Sequence, residues 1–512
     1  MSNTKSDNLH KLIKSMSKPE KRYFKVFSSR HIIGDENNYQ VLFDAIDKQE
    51  LYDEDKLMKK FKGQEFTHRF SIAKNRLYNN ILKSLDAFHS NSSIEAQLHR
   101  QVHSAEILYH KALYDQSLKL LNSAKKVAQK HELFSVISEI IQWEKRIAEK
   151  DQYESYESEE ELIALTKQQG EVLSKLAVQN ELWMLKSRLF FQLYRQGKAR
   201  SQSDMQGFKA IVDQAARQIG GENISIDSQY MINHIYSAYH FSSAQYELCY
   251  PFLTQNLLLI DQNPHLFDEE PGIYVSVLSN AIYVGMRLGK WKEAFAYLEN
   301  LRALPMVFEH HMNEDLSMRL FSLGKSTELA LYAQSGEFEK GLALLPEITD
   351  GLKRYDENIS SVRKAHFYFN GAVILFGMEQ YHESLKWINK LLNNVDIDKT
   401  KDIHCIAQIL NLVIHLELGN TELLPYTLRS TQRFLETRHK VFRFENVMLE
   451  FINEMLKKRQ SKTIDELYVD LLDQLQELRN DEHEKVVFEY FDFLAWTQSK
   501  TNGKTYRELI AA

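Results

Sequence analysis

A six-residue phrase recurs along the chain from about residue 110, and it constrains the fold more than any other feature. Its first residue suits a turn, its third is usually aromatic, and its sixth is usually small. The three clearest copies and three weaker ones are 289–294, 336–341, 379–384, 112–117, 244–249 and 419–424. Each copy lies between two stretches with helical periodicity, which indicates the turn, or elbow, of a helical hairpin. Hairpins repeated at an interval are typical of a helical solenoid, which usually binds something rather than catalyses a reaction.

The residue types in the phrase have a physical reason. Two antiparallel helices approach closely only where a small side chain faces the partner, and five of the six copies end in Ser, Cys, Ala or Gly. Leu424 is the exception. Glycine opens three copies because it readily adopts the left-handed backbone conformation that ends many helices. We therefore predict that Ala294, the sixth residue of the clearest copy, is buried against the preceding helix.

Composition agrees with an all-α fold. The chain has only 7 Pro and 18 Gly in 512 residues, too few for a turn-rich β protein. No stretch approaches ~18 uninterrupted apolar residues, and the amino terminus lacks the apolar core of a signal peptide. The two cysteines, Cys249 and Cys405, give neither a disulfide framework nor a zinc site. These observations predict a cytoplasmic protein without membrane association, cofactor or metal.

The elbows and the small residues before them resemble the tetratricopeptide repeat (TPR). The copy at 275–308 has Asn280, Ala281, Gly289, Trp291 and Ala294, and the copy at 365–398 has Asn370, Gly371, Ala372, Tyr381 and Ser384. The resemblance covers about residues 95–455. The elbows from residue 244 to residue 419 are 40 to 47 residues apart, against roughly 34 in the standard repeat, so the resemblance is to a divergent TPR-like protein. It implies a right-handed superhelical solenoid of helical hairpins.

The resemblance also implies a binding groove. In tetratricopeptide proteins the first helix of each repeat faces the groove, where an asparagine often grips the backbone or carboxylate of a bound peptide. By resemblance, Asn280 and Asn370 occupy that position. Tyr283 and Arg287 share a helix with Asn280, and His366 lies one turn before Asn370. The alternative is that the two asparagines are solvated or cap neighbouring groups.

The amino-terminal part differs in charge from the rest of the chain. Residues 1–100 hold 18 Lys and Arg against 13 Asp and Glu, whereas the whole chain has a net charge of −6. A candidate basic patch consists of Lys18, Lys21, Arg22 and Lys25. Helices are predicted at about 38–49, 53–61 and 67–89, which form either a cap that closes the solenoid or a helix-turn-helix that contacts phosphates. Short motifs at 21–24 and 75–78 resemble the heads of bacterial helical-repeat proteins of unknown function.

Three parts are predicted along the chain: a basic helical cap or module at 1–95, the repeat solenoid at 96–460, and capping helices at 461–512. The last part should contain a closing pair of helices at 463–480 and 484–499. No phosphate-binding glycine loop, nucleophile elbow or zinc-protease helix occurs, so we predict no enzyme and no catalytic residue. The favoured function is a non-enzymatic scaffold or adaptor that binds a protein or peptide. The alternative is a regulator whose basic module binds nucleic acid and whose repeats act as a sensor.

Overall fold

The structure is a computed structural model. It describes residues 7–29, 38–90, 93–154, 156, 158–196, 202–216, 224–394, 402–436, 442–457, 463–481 and 484–510. Across these ranges all regular structure is helical and no β-strand occurs, which confirms the predicted all-α class. The chain forms two compact units, Met1–Leu173 and Ser174–Ala512.

The first unit begins with a small helical head that has an aromatic core. The head consists of α1 (Asn8–Ser15), α2 (Lys18–Ser29), α3 (Asn38–Asp47), α4 (Glu54–Lys60), a 3₁₀ helix (Glu65–Arg69) and α5 (Phe70–His89). The unit continues with α6 (Ile94–His110), α7 (Tyr114–Lys130) and α8 (Phe134–Lys150). The rings of Phe24 in α2 and Phe43 in α3 are 4.7 Å apart, and Leu77 of α5 is fully buried in the same core. The three helices predicted in this region are confirmed as α3, α4 and α5. Helix α9 (Glu159–Gln196) spans the division between the units.

The second unit is a series of hairpins. Its helices are α10 (Gln202–Ala216), α11 (Ile226–Ser242), α12 (Tyr246–Gln262), α13 (Pro264–Phe267), α14 (Pro271–Arg287), α15 (Trp291–Val307), a 3₁₀ helix (Glu309–His311), α16 (Glu314–Arg319), a π-helix (Leu320–Lys325), α17 (Ser326–Ser335), α18 (Phe338–Arg354), α19 (Ser361–Gly377), α20 (Tyr381–Leu392), α21 (Asp402–Glu417), α22 (Leu424–Glu436), α23 (Arg443–Met455), α24 (Ile464–Arg479), a 3₁₀ helix (Lys485–Glu489), α25 (Phe493–Ser499) and α26 (Tyr506–Ile510). Helix α14 packs against α17, and α19 packs against α17 and α21. The first helices of the hairpins from α14 to α21 therefore form a continuous row, whereas α14 meets the preceding hairpin through its second helix, α12.

All six predicted elbows have a left-handed first residue. The φ angles are +58° at Ala112, +53° at Ala244, +67° at Gly289, +76° at Gly336, +58° at Glu379 and +64° at Gly419. A residue with a side chain costs ~1–2 kcal/mol in this conformation, so the hairpin geometry imposes it even where glycine is absent. A further elbow, at Glu132 between α7 and α8, has φ +50° although the phrase is missing there.

The sixth residues of all six elbows are buried, which confirms the prediction made for Ala294. In three hairpins the side chain also donates a hydrogen bond to a carbonyl of the preceding helix. These bonds run from Ser117 Oγ to Ala105 O (2.8 Å), from Cys249 Sγ to Ser237 O (3.1 Å) and from Ser384 Oγ to Ala372 O (2.7 Å). Each spans twelve residues, so the same crossing geometry recurs in both units.

The carboxyl-terminal region departs from the prediction in one respect. Helix α24 confirms the first closing helix, and Thr463 and Glu466 form a capping box at its start. The single helix predicted at 484–499 is wrong, because the chain forms a short 3₁₀ helix, leaves helical structure at 490–492, and starts α25 at Phe493. Residues 485–510 are called the C-terminal segment below. The predicted boundary at 460/461 lies outside the described residues.

Candidate functional site

Three of the five predicted groove residues lie on one face of α14. Asn280, Tyr283 and Arg287 are separated by three and four residues, a spacing that places them on the same side of a helix. Asn280 is exposed, whereas Tyr283 and Arg287 are half-buried. Within the described ranges, the Asn280 side chain has no hydrogen bond.

Tyr283 and Arg287 contact the C-terminal segment of their own chain. The carboxylate of Glu489 accepts hydrogen bonds from the hydroxyl groups of Tyr246 and Tyr283, the latter at 3.2 Å. The Nη2 group of Arg287 donates to the backbone carbonyl of Glu489 at 2.5 Å and to the Tyr283 hydroxyl at 3.3 Å. These two predicted groove residues therefore hold Glu489 in place.

The contact continues across the next helices of the row. The Gln334 side chain of α17 donates to the carbonyl of Tyr490 at 3.3 Å. The Tyr490 ring lies 5.9 Å from that of Phe369 in α19, and the fully buried Phe491 lies 5.1 Å from Phe376. Because α14, α17 and α19 are consecutive in the row, this non-helical stretch crosses the first helices in chain order.

The environment of Arg287 explains why it holds its position. Burial by itself would lower the pKa of Arg287, but the adjacent Tyr283 hydroxyl and Glu489 carboxylate raise that pKa above its ordinary value. Burial also raises the pKa of Tyr246, and Tyr283 and Glu489 add to this effect. The guanidinium lies over the Tyr283 ring, 4.9 Å from its centroid. Arg287 is thus a charged, cation–π-stacked anchor of the C-terminal segment.

The other two predicted groove residues lie on α19. His366 is half-buried and Asn370 is 9% exposed. Helix α17 lies between α14 and α19, so the five residues form two groups rather than one contiguous cluster. Within the described part of the chain, the Asn370 side chain has no hydrogen bond.

Sequence reasoning missed Arg363, which lies one turn before His366. Its guanidinium forms no hydrogen bond or ion pair with a described residue, while its backbone N–H donates to the Ser360 side chain at 3.3 Å. Burial lowers the pKa of Arg363, and the Tyr194 hydroxyl of α9 opposes only part of this shift. An arginine that is partly removed from water without a counter-ion is unfavourable unless a ligand supplies the anion. No local pattern marks Arg363, because its environment is set by residues distant in sequence.

The candidate basic patch on α2 divides into two kinds of residue. Two lysines are neutralised in ion pairs: Lys21 with Asp47 and Lys25 with Asp44, each with 2.7 Å between nitrogen and oxygen. Lys18 and Arg22 are exposed and have no ion pair with any described residue. Only half of the predicted patch therefore offers unpaired charge.

A second row of unpaired cations lies on α5 and its amino-terminal flank. Arg69, Arg76 and Lys83 are seven residues apart, all are exposed, and none has an ion pair with a described residue. Seven residues of helix correspond to about 10.5 Å, so Arg76 and Lys83 lie along one face of α5, while Arg69 precedes the helix as its N-cap residue with non-helical backbone angles. Lys74, by contrast, is paired with Glu54 at 2.5 Å.

The described residues contain no group of three or more His, Cys, Asp or Glu side chains arranged to hold a metal ion. None of the helices in these ranges is both long enough and apolar enough to cross a membrane. The chain matches no protein-family model, and a search of curated proteins finds no similar sequence.

Proposed function

We propose that the chain is a TPR-like repeat scaffold that binds an extended segment of a partner protein along its row of first helices. One observation carries this proposal: the row already holds a stretch of the chain itself, from Glu489 at the end of a 3₁₀ helix to the non-helical Tyr490 and Phe491. Arg287 and Gln334 donate hydrogen bonds to backbone carbonyls of this stretch. The rings of Tyr490 and Phe491 pack against aromatic rings of α19. Backbone capture combined with side-chain pockets is how extended peptides are recognised in general.

The groups offered to a partner are those that the C-terminal segment does not use. Asn280 and Arg363 carry donors that no described residue uses, whereas the donors of Tyr283 and Arg287 are engaged. A partner that supplies a backbone carbonyl to Asn280 and a carboxylate to Arg363 would satisfy both. Hydrogen bonds to a charged group contribute ~1.5–3 kcal/mol each, so Arg363 should dominate.

The test uses the full chain and a displayed library of random peptides. Peptides selected on the wild type should bind at least about tenfold more weakly to an Asn280→Ala, Arg363→Gln variant, since tenfold corresponds to ~1.4 kcal/mol. Arg433→Gln is the matched control, because Arg433 is an exposed arginine of α22 without a described partner. A wild type that enriches no peptide, or a double variant that binds as the control does, contradicts the proposal.

The row on α5 supports a second candidate, a nucleic-acid-binding head. Three exposed cations that pair with no described residue can neutralise phosphates, and the loss of three phosphate contacts reduces the salt dependence of binding. An electrophoretic shift assay with random duplex DNA should show a complex that weakens with salt and is lost in an Arg69→Gln, Arg76→Gln, Lys83→Gln variant. Salt-independent binding, or none at low salt, rules out this candidate.

A further inference from the structure

A cavity in the head combines an apolar wall with the two unpaired cations of α2. It has a volume of about 460 Å³ and lies between α2 and the end of α5. Its lining residues are Lys18, Pro19, Arg22, Tyr23, Val26 and Phe88. Val26 is 49% exposed and Phe88 39% exposed, so large apolar side chains face solvent where most of the head buries them.

No acidic residue that the structure describes neutralises the charge of Lys18 and Arg22 beside this cavity. Glu20 is the nearest acidic residue in sequence, but its carboxylate accepts the Ser17 N–H at 2.6 Å and contacts His89 at 2.6 Å. Lys18 and Arg22 have no ion pair with a described residue, unlike their neighbours on the same helix. An apolar recess flanked by two open cations is complementary to an apolar group that carries a negative charge beside it.

The second unit already holds an acidic residue followed by aromatic residues of the same chain. There the Glu489 carboxylate accepts from the Tyr246 and Tyr283 hydroxyls, and the Arg287 guanidinium donates to the Glu489 backbone carbonyl. The following Tyr490 and Phe491 pack against aromatic rings of α19. We infer that the head cavity binds an acidic residue adjacent to an aromatic residue on a partner protein, with the ring in the recess and the carboxylate on Lys18 and Arg22. The inference rests on the proposed role as a protein-binding scaffold, but it concerns a different surface.

The ring geometry favours a peptide over a nucleobase. Tyr23 and Phe88 are 5.2 Å apart with an interplanar angle of 61°, so the edge of one ring meets the face of the other. A nucleobase needs an open ring face on which to stack. The recess between Val26, Pro19 and these rings instead suits a side chain that inserts end-on.

The experiment uses the full chain and a fluorescent peptide with one Glu–Phe pair in a Gly/Ser sequence. Matched peptides carry Gln–Phe or Glu–Ala, and an oligothymidylate is the nucleic-acid probe. Fluorescence anisotropy should show that Glu–Phe binds at least about tenfold more tightly than either matched peptide. A Lys18→Gln, Arg22→Gln variant should lose this preference.

The control variant is Arg76→Gln, Lys83→Gln, which removes one arginine and one lysine that are also unpaired but lie on α5. It should keep the preference for Glu–Phe. Equal binding of the Glu–Phe and Gln–Phe peptides, or equal losses in the two variants, overturns the inference. Tighter binding of the oligothymidylate that depends on Lys18 and Arg22 overturns it in favour of a nucleic-acid site. None of these results bears on Asn280 and Arg363, where the proposed function is tested separately.

Discussion

A methyl group added at Gly341 tests the hairpin packing most directly. The Cβ of an alanine would lie 2.2 Å from Cδ1 and 2.8 Å from Cγ1 of Ile374 on α19. Ordinary carbon contacts are about 3.5–4.0 Å, and a β-branched residue in a helix keeps almost a single χ1 rotamer, so Cγ1 cannot swing away. Ile374 is fully buried, which leaves α18 and α19 to move apart. Overpacking of this kind costs ~1–3 kcal/mol.

The control for Gly341→Ala is Gly207→Ala on α10, where the nearest atom is Gln192 Oε1 at 3.8 Å. Both substitutions gain up to ~1 kcal/mol in helix propensity, so their difference isolates the steric cost. Denaturant unfolding followed by circular dichroism should show Gly341→Ala destabilised and Gly207→Ala stabilised. In an Ile374→Ala background the clash is absent, and Gly341→Ala should then be neutral or stabilising. A similar loss of stability from Gly341→Ala in both backgrounds would refute the proposed helix crossing. The effects of substitutions at two residues in direct contact are not expected to be additive.

Three further outcomes are expected. Ala244→Gly should raise the free energy of unfolding by ~0.5–1 kcal/mol because it relieves a side chain at φ +53°, and a lower melting temperature would contradict this. Burial lowers the pKa of His234 to about 4, so the unfolded chain binds a proton below pH ~6.5 that the folded chain refuses. Stability should therefore fall as pH decreases from ~6.5 towards 4, by at most ~3 kcal/mol, and His234→Phe should lose less over that range. Glu489→Gln removes the carboxylate that accepts from the Tyr246 and Tyr283 hydroxyls and should cost ~1–3 kcal/mol, with faster hydrogen exchange in the C-terminal segment; unchanged exchange would show that this carboxylate does not hold that segment.

The elbows could be predicted from sequence because their requirements are local. A left-handed residue and a small side chain five positions later are both readable within one phrase, and both are found at Gly289 and Ala294. The limits of local reasoning appear at the same feature. Ala112 and Glu379 adopt the left-handed conformation without glycine, and the elbow at Glu132 lacks the phrase altogether. In these hairpins tertiary packing imposes the turn.

The C-terminal segment could not be predicted because its structure depends on distant partners. Residues 484–499 have apolar residues at helical spacing, yet the helix breaks after Glu489, whose carboxylate bonds Tyr246 from 243 residues away in sequence. The ion pairs within the candidate basic patch could not be predicted for the same reason. Nothing near Lys21 in the sequence indicates that Asp47, on another helix, neutralises it.

Anchoring residues differ from the proposed binding residues in whether a described residue uses their hydrogen-bond donors. Tyr283 and Asn280 lie one turn apart on α14 and are equivalent by spacing, but among the described residues Tyr283 has a partner, Glu489, and the Asn280 side chain has none. Truncating Tyr283 should therefore destabilise the fold itself. A loss of partner binding in that variant would not show that Tyr283 contacts the partner. Asn280 and Arg363 carry polar groups that are costly or unused in the isolated chain, so their truncation leaves the fold intact. A loss of peptide binding on their removal can then be assigned to recognition itself.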